Sequence, residues 1–188
     1  MNQKPERKFY LQHFKAITHA ISTYEDLNVL TDHIAEGTSR RFKAKGCSIM
    51  ILDEVNNQLH SVSSYGLSEE YLSKGPVFMD DEECAIYKGE PVWVEDMQND
   101  PRLQYPEAAA KEGIVSMLSI PIRCRQPVIG ILRIYFNKSG RIHDEDIDSL
   151  CVLSEQLGLV IENNGLKNFL DSIKIALGSL PARLLKDL

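Results

Sequence analysis

The stretch GIVSMLSIPIRCRQPVIGILRIY, residues 113–135, decides the fold of this chain. Two strand-like apolar runs, 115–123 and 128–135, flank a break at 124–127, and Pro121 and Gly130 interrupt them. Extended runs separated by a short polar break read as an antiparallel hairpin. The hairpin reads as one that lines something, and Ser116, Met117 and Ser119 interrupt its first run, though at most part of that set can face one cavity. No nucleophile–base pair or metal-ligand cluster lies near it, which points to a sensing or regulatory domain rather than an enzyme.

Downstream, a turn at 137–141 leads to a helix starting at His143 or Asp144, with an apolar stripe at Ile147, Leu150, Leu153, Leu157, Val160 and Ile161. The apolar pattern continues at Leu166, Phe169, Leu170, Ile173 and Leu177 before Pro181. Such a stripe asks to be buried, and homodimerisation through the terminal helices would bury it; folding back on its own subunit is the alternative. Upstream, Phe9, Leu11, Phe14, Ile17 and Ile21 recur at helical spacing over 8–23, and Asp26 caps a second helix bearing Val29, Leu30, Ile34 and Phe42. CSIMILDE and the alternating run 59–65 form a first hairpin. Between the hairpins, 68–73 reads as a short helix, 76–79 as a strand or loop, 82–88 as a helix capped by Asp80 or Asp81, VWVED as a brief strand and 107–112 as another helix stopped by Gly113. The total is an α+β domain: one antiparallel sheet with the terminal helices on one face, and loops and short helices over a ligand cavity on the other.

The chain has 188 residues and a formal net charge of -6. That balance disfavours nonspecific nucleic-acid binding, although Arg40, Arg41, Lys43 and Lys45 could form a local basic patch. No apolar run approaches the ~20 residues of a membrane helix. The start MNQKPERKFY lacks a signal-peptide core. A cytoplasmic protein that does not bind membranes is expected. The four cysteines, Cys47, Cys84, Cys124 and Cys151, have neither disulfide nor metal spacing, and the five histidines show no ligand pairing. Phosphate-binding glycine loops and a nucleophile elbow are lacking, so neither cofactor nor metal is expected.

CSIMILD, SSYGL, AIYKGEPVWVEDMQNDPR, KEGIVSMLSIPI, VIGILRIY and HDEDIDSLCVLSEQLGLVIEN, in that order, resemble a GAF domain over residues 27–163. Residues 1–26 would then be an N-terminal helix packing with the helical layer, and 164–188 a C-terminal helical extension. The resemblance implies a six-stranded antiparallel sheet, a ligand cavity opposite a helical bundle, and a regulatory role exercised on a partner protein or attached output domain. Members of the family bind cyclic nucleotides, bilins, haem, amino acids, 2-oxoglutarate or nothing known. The attachment cysteine of the bilin-binding members is missing from PEAAAKEG. Alternatives to a sensor are a structural dimerisation module without ligand and a thiol enzyme similar to the family's free methionine sulfoxide reductases, although the cysteine spacings here depart from theirs.

Eight residues are candidates for the pocket. Cys84 is either a reactive thiol at a helix start or an inert small side chain, since the preceding DDEE opposes the thiolate. Trp93 either stacks on a planar ligand or packs in the core. Asp96 either caps its own loop or contacts a ligand. Tyr105 and Lys111 come from the loop and short helix over the sheet, and Met117 and Ser119 from the first strand of the decisive hairpin. Arg133 either pairs with a carboxylate or anchors an anion. If Arg133 and Lys111 converge beneath Tyr105 and Trp93, an anionic or planar effector is favoured; if Glu112 and Asp96 neutralise them internally, the cavity suits a neutral molecule or water.

Overall fold

The structure is a computed structural model that describes residues 5–24, 26–79 and 84–178, with the side chains of 11, 13, 14, 174 and 176–178 also left undescribed. At its centre β5 (Ser116–Arg123) and β6 (Val128–Phe136) pair antiparallel, with Leu118 opposite Ile134 and Ser119 opposite Arg133. The turn between them closes through Cys124 N–H donating to the Pro127 carbonyl at 3.1 Å, with Arg125 in the left-handed region. β6 also pairs with β1 (Gly46–Asp53), which forms a hairpin with β2 (Gln58–Tyr65). Two short edge strands, β3 (Val77–Phe78) and β4 (Val92–Val94), complete a six-stranded antiparallel sheet in the order β3-β2-β1-β6-β5-β4.

Side chains in a strand alternate between faces. Cys47, Ile49, Leu118, Ile120, Ile122, Leu132, Ile134 and Phe136 therefore share one face, and all are buried there. Two helices cover that face: α2 (Leu27–Phe42) with Leu30, Ile34, Ala35 and Phe42, and α6 (Asp144–Gly178) with Leu150, Leu153 and Leu157. Burying each such side chain contributes about 1.5–3 kcal/mol. Asp26 caps α2 by accepting from Asn28 N–H at 2.8 Å, and Lys43 in the left-handed conformation ends it. α1 (Leu11–Thr23) lies against this layer through Ile17, Ala20 and Ile21.

Two differences from the sequence reading concern the terminal helices. α1 starts at Leu11 rather than at residue 8, because the amides of Lys8 and Phe9 donate to the buried carboxylate of Asp146 at 2.7–3.0 Å and stay extended. α6 runs without a break from Asp144 to Gly178, so the extension expected from residue 164 continues the domain's own helix as far as it is described. Its Leu166, Phe169, Leu170, Ile173 and Ile175 are exposed. The helix expected over 82–88 is described only as α4 (Ala85–Lys88); its expected start, with Asp80 and Asp81, lies outside the described residues.

Gly158 is where α6 approaches the β5–β6 turn: a Cβ there would overlap the Arg123 carbonyl and sit 3.3 Å from Cys124 N. Alanine would gain about 1 kcal/mol of helix propensity, but a forced backbone shift in a packed interface costs about 1–3 kcal/mol. Gly158→Ala is therefore expected to lose up to about 2 kcal/mol on balance, read as a lower urea midpoint with an unchanged slope.

Candidate functional site

On the face opposite the α2–α6 layer, the sheet carries Met50, Met117, Ser119, Ile131, Arg133 and Tyr135. Three pieces of chain roof it: α3 (Glu69–Leu72) with the segment into β3, α4, and the loop from β4 to α5 (Pro106–Glu112). Ser68 caps α3 by accepting from Tyr71 N–H at 3.1 Å, and Gly113, left-handed at φ 74°, ends α5 and turns the chain into β5. Between roof and sheet lies a cavity of about 700 Å³, within the range of small-molecule sites.

Five of the eight candidate residues line it: Cys84, Tyr105, Met117, Ser119 and Arg133. Arg133 rises from β6 between Ser48 of β1 and Ser119 of β5. Its Nε is buried and has no hydrogen-bond partner among the described residues. Tyr105 is fixed by donating its hydroxyl to the Pro76 carbonyl at 2.7 Å.

The other three candidates lie elsewhere. Trp93 faces the helical side, with its ring 5.6 Å from that of Phe136, because Val92 and Val94 take the cavity-facing positions of β4. Asp96 folds onto its own loop, accepting from Gln98 N–H and from the Asn99 backbone and side-chain amides, and these bonds hold it below the usual carboxylate range. Lys111 lines an adjoining cleft of about 480 Å³ that shares Tyr71, Lys74 and Tyr105 with the main cavity.

The residue that the sequence reading missed is Lys74. Its Nζ donates to the Tyr71 carbonyl at 3.1 Å and sits 3.9 Å from the Tyr71 ring centroid and 5.9 Å from that of Tyr105. Burial, and then the charge of Arg133, lower its pKa to about 8. The neutralisation by Glu112 and Asp96 weighed above is not found. Glu112 instead pairs with Lys45 at 3.0 Å and accepts from Ser68; burial pushes its carboxyl up, but the Ser68 and Lys45 hydrogen bonds outweigh that and hold it down. Lys74 and Arg133 thus share a cavity without a carboxylate on either among the described residues.

The cysteines do not converge. Cys47 lies in the helical-side core, where burial pushes its thiol up. Cys124 donates to Glu162 at 2.6 Å, which also raises its thiol, and burial raises Cys151 on α6. Cys84 alone reaches the cavity, with its sulfur 3.9 Å from that of Met79. Among the described residues no three His, Cys, Asp or Glu side chains gather as metal ligands, and no helix is long and apolar enough to cross a membrane. The basic run near the end of α2 is engaged internally: Arg40 with Glu36 at 2.6 Å, Arg41 with the Lys8 carbonyl, and Lys45 with Glu112.

A family model described as GAF domain matches residues 25–162. Among solved structures, the GAF domain of a phosphoenolpyruvate-protein phosphotransferase from Coxiella burnetii is similar at TM-score 0.73 and 21% identity, covering 84% of this chain and 95% of that one. Its Acinetobacter counterpart gives 0.71 and 21%, covering 84% and 96%. A free methionine-R-sulfoxide reductase from Neisseria meningitidis, solved with its substrate, gives 0.68 and 15%, covering 89% and 99%. At these identities the likeness is one of fold. No curated protein matches the chain.

Lys74 sets a pH dependence. Below about 8 its amine is charged in both folded and unfolded states, and its burial weighs against folding. From about 8 up to the ordinary 10.5, the folded state releases the proton while the unfolded chain keeps it, so this group makes stability rise with pH. Lys74→Met is expected to be more stable than the parent at pH 7 and to narrow that advantage by pH 10. Chemical denaturation of both proteins across that range measures it.

Proposed function

The chain belongs to the GAF domain family, and from that membership and the chemistry of the cavity we propose that it is a small-molecule-sensing regulatory domain, acting on a partner rather than by catalysis. Arg133 carries this reading. A cation withdrawn from water without a counter-charge is unfavourable, and here Arg133 and Lys74, both half-buried and neither carrying a carboxylate among the described residues, look into one cavity. A small anionic effector would supply that charge. The rings of Tyr71 and Tyr105 beside Lys74 suit an effector that also has a planar part. A sensor needs no chemistry at the site, and the dispersal of the cysteines gives Cys84 no second thiol to work with.

Binding only to the folded state raises its melting temperature, by roughly 5–10 °C at a hundredfold excess over Kd for a chain of this size. A panel of small organic and phosphorylated anions is expected to contain a compound that does so. Arg133→Ala should weaken that compound about tenfold or more in isothermal titration; equal affinity would remove Arg133 as the anion anchor. A panel without any stabilising compound would favour the ligand-free dimerisation module.

The output surface in this reading is α6. Val152, Leu159, Leu166 and Ile173 follow at successive seven-residue steps and are 44%, 49%, 54% and 38% exposed. A seven-residue apolar repeat supplies one of the two apolar positions of a coiled-coil seam, and Phe169 and Leu170 supply the other towards the end of the helix. The proposed form is a homodimer with the α6 helices side by side. Light scattering should give twice the chain mass, and Leu166→Glu combined with Phe169→Glu should give the single mass with circular dichroism showing a folded domain.

A further inference from the structure

The floor of the cavity that holds Arg133 is striped. Strand register sets Ser48, Arg133 and Ser119 in one row across β1, β6 and β5. The row on one side is Met50 and Ile131, and the row on the other is Met117 and Tyr135. Of the three serines in β1 and β5, two are satisfied within the chain. Ser48 shares a hydrogen bond of 3.1 Å with the Tyr135 hydroxyl, and Ser116 donates to the Lys138 carbonyl at 2.8 Å. Ser119 is 4% exposed, lines the cavity and has no hydrogen-bond partner among the described residues. Buried hydroxyls are almost always paired, so Ser119 asks for a partner that the described chain does not supply.

Ser119 stands directly across from Arg133 on the neighbouring strand, and Arg133 likewise makes no hydrogen bond among the described residues. Lys74 meets the pair from the roof. One proton of its ammonium goes to the Tyr71 carbonyl at 3.1 Å, and the other two are left for an occupant. With its pKa near 8, Lys74 is charged at pH 7, as Arg133 is. No carboxylate lines this cavity among the described residues. Two positive charges and a free hydroxyl therefore face one space, with donors on the floor and on the roof.

We propose that Ser119, Arg133 and Lys74 form a phosphoryl subsite, so that the effector is the dianionic phosphate monoester of a small, largely apolar alcohol; the proposal rests on the sensor reading above. A carboxylate brings one charge and two oxygens in a plane, which match one cation and one wall. A phosphate monoester, whose second pKa is about 6, brings nearly two charges at pH 7 and three oxygens aimed in different directions. It can accept from floor and roof at once and balance both cations. The apolar rows beside the polar one, and the rings of Tyr71 and Tyr105, receive the rest of the molecule.

Isothermal titration of the full chain at pH 7 and constant ionic strength, with phenyl phosphate, phenyl sulfate and benzoate, tests this. The sulfate keeps the tetrahedral oxygens but carries a single charge. Phenyl phosphate is expected to bind about tenfold tighter than either of the others. Ser119→Ala, which removes one hydroxyl and little volume, should weaken phenyl phosphate about tenfold, and Lys74→Met should do the same. Lys138→Ala, at an exposed lysine beyond the end of β6, should leave the affinity unchanged. Equal binding of phosphate and sulfate, or an unchanged affinity in Ser119→Ala, would overturn the phosphoryl subsite and leave the sensor reading standing. So would a phenyl phosphate that fails to bind while another anion of the wider panel stabilises the protein. Failure of the whole panel would remove both.

Discussion

The pairing of β5 with β6 is the constraint on which the rest depends. Leu132 and Ile134 are fully buried in the helical-side core, and Arg133 between them must point the other way. A slip of one residue would drive a guanidinium into an apolar layer and turn two large aliphatic side chains out of it. The apolar face therefore fixes the register, and the register fixes where the one charge of this strand is delivered. The floor of the cavity follows from the core without any separate device.

Charge is sorted by the same architecture. The chain is acidic overall, yet the described carboxylates near the cavity are committed to local tasks: Asp96 to its own turn, Glu112 to Ser68 and Lys45, and Asp100 to Arg102. Among the described residues the cavity keeps two cations while the molecule as a whole is negative. That inversion is local, and short distances and low dielectric make it count for more than the net charge.

Much of the fold was legible in the sequence because its signals are local. The extended apolar runs 115–123 and 128–135 with the break between them, Asp26 as a cap, and Gly113 as a helix stop each act within a few residues. The errors arose where a distant partner decides. The run VWV is apolar throughout, so its facing is set only by its pairing with β5, which places Trp93 opposite Leu118 on the helical side. Lys74 lies just past a one-turn helix, in a stretch with no periodicity to reveal its direction. The delayed start of α1 depends on Asp146, far along the chain, and nothing near residue 8 announces it. Arg133 was readable because a lone charge inside ILRIY leaves few alternatives.

The grip of Asp146 on the Lys8 and Phe9 amides also has a kinetic meaning. It joins groups 138 and 137 positions apart in sequence, so it closes a loop containing nearly the whole sheet. Contacts of such long range carry a larger closure cost than local ones. On this ground α1 and the segment before it are expected to dock late in folding and to open locally, as a reversible clasp, while the sheet stays closed.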